Sequence, residues 1–212
     1  MGTFGRGPGQ TARRALSGCD LGFVERDPVA AALAGGPPAM FLLTGIQAAG
    51  KSTVRQLLAE RFPRSVHVRG DLYRRMVVNG RLNPVPSAGP EVAEPLRLRH
   101  RLAAAAADGY HRAGFTAVLQ DCFLGEMLPF AVSQLRSRPL WVVVLAPSAE
   151  VVARREAGSS KNAYREWTVE MLDRILRAET PRLGLWLDSS EQTPQQTVDE
   201  ILSRTGATAG VR

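Results

Sequence analysis

The sequence predicts an α/β fold in three layers, a five-stranded parallel sheet with helices on both faces. Three observations predict it. From residue 40 onward, apolar runs of strand length alternate with segments of helix length, the pattern of consecutive βα units. Two of the strand candidates, Met40 to Thr44 and Leu140 to Leu145, read as continuous apolar stretches, as strands buried on both faces do. A glycine-bearing loop, Gly45 to Ser52, joins the first such strand to the first such helix.

Residues 1–38 read as a flexible tail, rich in Gly, Pro and Ala, and residues 39–212 as the folded domain. Within the tail a short helix is expected from Pro28 to Ala34, stopped by Gly35, Gly36, Pro37 and Pro38. Met40 to Thr44 is the first strand, followed by the loop and a helix from Lys51 to Arg61 that Pro63 ends. Ser65 to Arg69 is the second strand and Asp71 to Val78 a short helix. Residues 80–95 hold Pro84, Pro86, Pro90 and Pro95 and predict an extended loop or lid. A long helix is expected over Leu96 to Ala113, the third strand over Phe115 to Gln120, and a helix over Gly125 to Ser137. Leu140 to Leu145 is the most apolar run and predicts the central strand. Helices over 148–157 and 165–178, a fifth strand over Leu183 to Leu187 and a last helix over Thr193 to Ser203 complete the domain. No internal repeat is present.

Composition narrows the function. A chain of 212 residues with 44% hydrophobic content can bury a full core. No apolar run reaches the length of a membrane span, and no secretory pattern opens the chain, so a cytoplasmic placement is expected. Cys19 and Cys122 have no metal-ligand spacing, and His67, His100 and His111 are scattered, each expected on the surface or in the core. The net charge is +7, yet all but two of the 27 basic residues are arginine, the exceptions being Lys51 and Lys161. They are spread along the chain and aromatics make up 6%, so no basic strip studded with aromatics suggests nucleic-acid binding.

Ligands of such sheets bind where the strands end. At the first strand end stand Gly45, Ile46, Gln47, Ala48, Ala49, Gly50, Lys51 and Ser52, followed by Thr53, with two glycines, lysine and serine at the spacing of a phosphate-binding P-loop. Glycine lets the backbone wrap a phosphate closely, and the helix that follows points its positive end at the same group. Lys51 is then expected to bridge the terminal phosphates of ATP, and Ser52 to bind Mg²⁺. Asp71 follows the second strand, where a carboxylate can take the proton of an attacking hydroxyl; it is also a suitable helix cap. Asp121 ends the third strand and is expected at the metal or the substrate, turn chemistry being the alternative. Arg154, Arg155 and Lys161 flank Gly158-Ser159-Ser160, where cations can stabilise the moving phosphoryl group. Arg69 and Arg74 are expected to face the substrate.

The P-loop, the Asp121-Cys122-Phe123-Leu124-Gly125 segment and the Lys161-Asn162-Ala163-Tyr164 segment make the chain resemble the chloramphenicol phosphotransferase family of P-loop kinases. The likeness runs from about Met40 to Leu202 and leaves the first 38 residues uncovered. It implies a P-loop NTPase fold, transfer of the γ-phosphate of ATP to an antibiotic hydroxyl, Asp71 as base, and Asp188, Ser189, Ser190 and Pro194 near the adenine. Where that family often has paired acids, this chain has Gln120-Asp121. The Asp71-Leu72-Tyr73-Arg74 segment also resembles zeta toxins and polynucleotide kinases. The expected function is thus an ATP- and Mg²⁺-dependent kinase of a hydroxyl-bearing small molecule. A polynucleotide or nucleotide-sugar kinase and a non-catalytic ATP-dependent binding module are the alternatives.

Overall fold

The computed structural model describes residues 36–83, 85, 89–158 and 166–207. Strand β1 (Met40–Thr44) is buried at every position, which five consecutive residues of an apolar run require of a strand covered on both faces. With β2 (Ser65–Arg69), β3 (Thr116–Gln120), β4 (Leu140–Leu145) and β5 (Leu185–Leu187) it forms one sheet in the order β2-β3-β1-β4-β5. Every neighbouring pair is parallel. The expected α/β class and five-stranded parallel sheet are both present.

The centre of the sheet is β1, where the sequence predicted β4. The reason lies in the neighbours. Strand β1 pairs on one side with β3 and on the other with β4. Strand β4 borders the three-residue β5, and its Leu140, Trp141 and Val142 remain partly exposed. Apolarity alone does not rank strands by position.

Right-handed crossovers decide the layers. The chain steps one way from β1 to β2 and the other way in the later crossings, so their helices cover opposite faces. Helix α1 (Lys51–Glu60) packs with the last helix, α7 (Pro194–Thr205). The short α2 (Gly70–Arg75) and α4 (Met127–Gln134) both pack on α3 (Ala93–Arg112). Helix α2 stops before the expected Val78, leaving Met76 and Val78 exposed. Helix α3 starts three residues earlier than expected because Pro95 fits within its first turn. The expected helix over 165–178 is instead α6 (Val169–Arg174), capped by Thr168, running into a π turn over Ile175–Glu179. Between β4 and α6 lies α5 (Ala149–Ala157), whose Ser148 cap accepts from the Val151 N–H. The expected helix Pro28 to Ala34 lies outside the described residues, as does the tail up to residue 35. Among the described residues no helix is long and apolar enough to cross a membrane.

Candidate active site

The end of β1 turns into the loop because Gly45 can sit where no other residue can. Its φ is +144°, and a Cβ there would stand 2.5 Å from the Leu145 carbonyl oxygen at the end of β4. Ala48 has φ +58° and Gly50 φ +90°, so the loop holds two further left-handed positions, one of them on a non-glycine residue. Ile46 and Ala49 are buried beneath it and Gln47 and Ala48 are half-buried.

Gly50 opens α1 with no side-chain cap and no acid in the first turn. Its carbonyl accepts from the Thr53 and Val54 N–H groups at 3.1 Å each. The N–H groups of Lys51 and Ser52 therefore precede the acceptors of the helix and join its positive end. Lys51 is 7% exposed, and its Nζ donates to the carbonyls of Gly45 (2.7 Å) and Ile46 (2.6 Å). An uncapped helix end, a lysine in the loop and a tight glycine approach make a seat for a phosphate chain. Ser52 and Thr53 are exposed beside it. The Ser52 hydroxyl is a hard oxygen of the kind Mg²⁺ accepts while keeping water and phosphate oxygens for the rest of its shell.

Arg155 reaches this loop from the last turn of α5. Its Nη1 lies 3.8 Å from where a Cβ on Gly50 would be, and its Nη2 donates to the Ser189 carbonyl at 3.2 Å. It thus links the loop to the segment after β5. There Ser189 is buried, with a hydroxyl that has no partner among the described residues. Ser190 accepts from the Ser148 N–H at 2.8 Å and donates to Asp188, a bond that holds the Asp188 carboxyl below its usual range. Arg154 is exposed on the same helix. Lys161 lies outside the described residues.

The other half of the site is made by side chains from distant segments. Asp71 is the second residue of α2, with Arg69 Nε at 3.5 Å and Arg75 Nη2 at 3.1 Å from its two oxygens. Arg55 comes from α1 and donates to the Gln120 side chain, and Gln120 is the register partner of Arg69. His67 stands on the same edge strand; burial, and then the charges of Arg55 and Arg69, hold its pKa down. Arg74 donates to Asn83.

Asp121 is buried at the end of β3, the strand between Asp71 and the phosphate loop, and both its oxygens are engaged. Arg99 from α3 forks onto it, Nε to Oδ2 at 2.6 Å and Nη2 to Oδ1, and the Cys122 N–H donates to Oδ1 at 2.8 Å. The carboxylate fills the space a side chain on Gly70 would need. His100 is wholly buried beside the pair, 3.9 Å from Oδ2 and edge-on to the Phe123 ring at 4.6 Å. Burial lowers its pKa to about 4, against the pull of Asp121.

Arg99 also borders a cavity of about 90 Å³ between α2, α3 and the segment after α2. Tyr73, Val77, Leu82, Leu98 and Leu102 give it mostly apolar walls, and Arg74 and Arg81 stand at it as well. The structure thus gathers Lys51, Ser52, Arg155 and Ser189 at the loop after β1, and pairs Asp71 with Arg69 and Arg75 at the start of α2, while Arg74 lines the cavity. Arg55 and Arg99 were not anticipated, and of the two places expected for His100, surface or core, the structure takes the core. A signal for Arg99 existed: it stands in the helical stripe Pro95, Leu98, Leu102, where every neighbour on the face is apolar.

No protein-family model matches the sequence, and no curated protein matches it. Solved structures do match in shape. A sugar kinase from Janibacter sp. HTCC2649 superposes with a TM-score of 0.61 at 17% identity, covering 81% of this chain and 96% of its own. The Mycobacterium tuberculosis APS kinase, solved with AMPPNP and APS, gives 0.59 at 16% identity, covering 80% and 98%. The tunicamycin resistance protein of Deinococcus radiodurans gives 0.56 at 16%, covering 82% and 99%. What they have in common with this chain is its architecture, and that architecture is the P-loop NTPase fold found in kinases.

Proposed function

We propose that this chain is an ATP-dependent phosphotransferase that moves the γ-phosphate of ATP to a hydroxyl of a small molecule. The observation that carries the reading is the pairing, on one edge of the sheet, of an uncapped helix end bearing Lys51 with a carboxylate, Asp71, held between two arginines. The three neighbours named above include a sugar kinase and an APS kinase, which supports a small-molecule acceptor. Antibiotics and related natural products are the first acceptors to test, given the tunicamycin resistance protein among the neighbours.

In this reading the backbone N–H groups from Ile46 to Ser52 cradle the phosphates, and Lys51 exchanges its two carbonyl acceptors for phosphate oxygens. Arg155 and the Ser189 and Ser190 segment flank the nucleotide, Arg155 lying toward the phosphates. Arg154 and Lys161 are further candidates for this role. Mg²⁺ bound at Ser52 would neutralise charge on the phosphate oxygens. Asp71 accepts the proton of the acceptor hydroxyl as its oxygen bonds to phosphorus and the bond from phosphorus to the ADP oxygen breaks. Arg69 and Arg75 orient the carboxylate, and Arg69 and Arg74 face the acceptor. Asp121, with its oxygens engaged by Arg99, serves the substrate side, which leaves the metal to Ser52.

The test is acceptor-dependent ADP release with ATP and Mg²⁺ against hydroxyl-bearing antibiotics, nucleosides, nucleotide sugars and 5′-hydroxyl oligonucleotides. Asp71→Asn is expected to lower kcat by roughly a hundredfold to ten-thousandfold while leaving ATP binding intact. Undiminished transfer by that variant would remove Asp71 from the role of base. Tight ATP binding with no turnover on any acceptor would favour a nucleotide-dependent binding module.

A further inference from the structure

We infer that Arg99, locked in place by Asp121, fixes the acceptor specificity, and that the acceptor is a hydroxyl compound with an apolar body and one oxygen acceptor for Arg99. This rests on the kinase reading and names the substrate class of the same site.

Asp121 takes Nε and Nη2 of the Arg99 guanidinium, and among the described residues Nη1 has no protein acceptor. The Arg99 side chain is only 12% exposed and borders the cavity that begins at Tyr73, two residues beyond Asp71. A planar fork clamped on one side presents its remaining N–H groups in a fixed direction. Its charge is already balanced by a buried carboxylate, so it asks of the ligand an oxygen lone pair rather than a full counter-charge. Around it, Val77, Leu82, Leu98 and Leu102 offer no hydrogen bonds. Leu98 and Leu102 are about half exposed, at 48% and 46%, although they occupy the same face of α3 as Arg99.

Those walls discriminate. A polyol would leave most of its hydroxyls unpaired against leucine and valine, with Tyr73, Arg74 and Arg81 as the other polar groups at the cavity, whereas a ring or chain would cover those walls. A donor at a fixed place rejects an analogue that lacks the matching oxygen. Asp121 is in this sense a positioning residue: it acts on the acceptor through Arg99, and Gly70 gives its carboxylate room to do so.

The test uses the full chain with three probes: 4-(hydroxymethyl)benzamide, benzyl alcohol and glucose. Transfer from ATP is followed by ADP release, and probe binding by equilibrium dialysis with a non-hydrolysable ATP analogue. The benzamide is expected to exceed both others by roughly tenfold or more in kcat/KM and in affinity. Arg99→Lys should abolish its advantage over benzyl alcohol by raising KM with the ATP KM unchanged. Asp121→Asn should do the same without altering the Mg²⁺ requirement. Because a buried pair can be needed for folding, Leu98→Ser, at a half-exposed site, gives an independent arm: it should weaken both aromatic probes relative to glucose.

Lys51-dependent transfer to glucose in preference to the aromatic probes would overturn this inference and leave the kinase standing. Arg99-dependent binding of the benzamide without any transfer would support the pocket and remove the kinase. Failure of the aromatic probes to bind or react, or a shift in Mg²⁺ requirement as the main effect of Asp121→Asn, would also overturn it.

Discussion

The phosphate end and the acceptor end of this sheet edge are built by different means. In the proposed reading, the ligand at the phosphate end meets a short contiguous stretch, Gly45 to Ser52, whose working groups are mostly backbone N–H, one lysine and one hydroxyl. At the acceptor end, Asp71, Arg99, Asp121 and the leucines of α3 come from segments up to fifty residues apart in sequence and work through their side chains. Backbone chemistry is the same whatever the acceptor, so one loop can serve many reactions. Side-chain chemistry is particular, and it decides which molecule is phosphorylated.

Loss of Lys51 tests the first half of that contrast most severely. Lys51→Ala is expected to lower kcat by roughly a hundredfold to a thousandfold for every acceptor alike, because it strips a cation from the phosphate chain and touches nothing on the acceptor side. Single-turnover transfer with two unrelated acceptors would check it, and unequal losses would break the division of labour. On the acceptor side, His100 makes the sheet edge sensitive to acid. Its folded pKa of about 4 lies below the ordinary value of 6.5, so the unfolded chain binds the extra proton as pH falls through that window. Stability contributed by His100 is whole above about pH 6.5 and is lost toward pH 4, by about 3 kcal/mol. Asp121 and Arg99, the charged groups beside it, oppose one another in this effect. Urea unfolding at pH 7 and pH 4 should show the loss, and His100→Phe should reduce it. A smaller effect is expected from Arg155→Ala, a rise of about tenfold in the ATP KM with little change in the acceptor KM. An equal rise in both would mean that Arg155 spans the two ends.

The same contrast explains what the sequence disclosed. The position of the loop Gly45 to Ser52 between β1 and α1 was readable because its residues are adjacent and their glycine spacing marks a tight strand-to-helix turn. Strands β1, β2 and β4 were readable to the residue, β1 and β4 as apolar runs between turn signals and β2 as a short stretch around Val66 and Val68. The order of the strands was harder. Taking Leu140 to Leu145 for the centre treated apolarity as position, whereas the short β5 leaves part of β4 uncovered. Arg99 went unread because its meaning depends on Asp121, which arrives from another strand only once the crossover is made. Asp121 was expected at the metal or the substrate, with no arginine partner foreseen, for a similar reason: nothing near it in sequence announces the arginine that occupies it. His100 gave no sign of full burial because an isolated histidine on a long helix fits either face.

Gly70 carries one more consequence. Its missing side chain leaves the space that the Asp121 carboxylate fills, and the next residue is Asp71. The start of α2 and the carboxylate that clamps Arg99 therefore share a single reference point, like two gauges zeroed on the same mark. A methyl group at position 70 would shift both readings at once, misplacing Asp71, the proposed base, and loosening the arginine. In a selection for restored activity from such a mutant, second-site changes should gather at position 121, where a shorter residue would return Asp71 to its place while giving up the clamp on Arg99, rather than around the loop from Gly45 to Ser52.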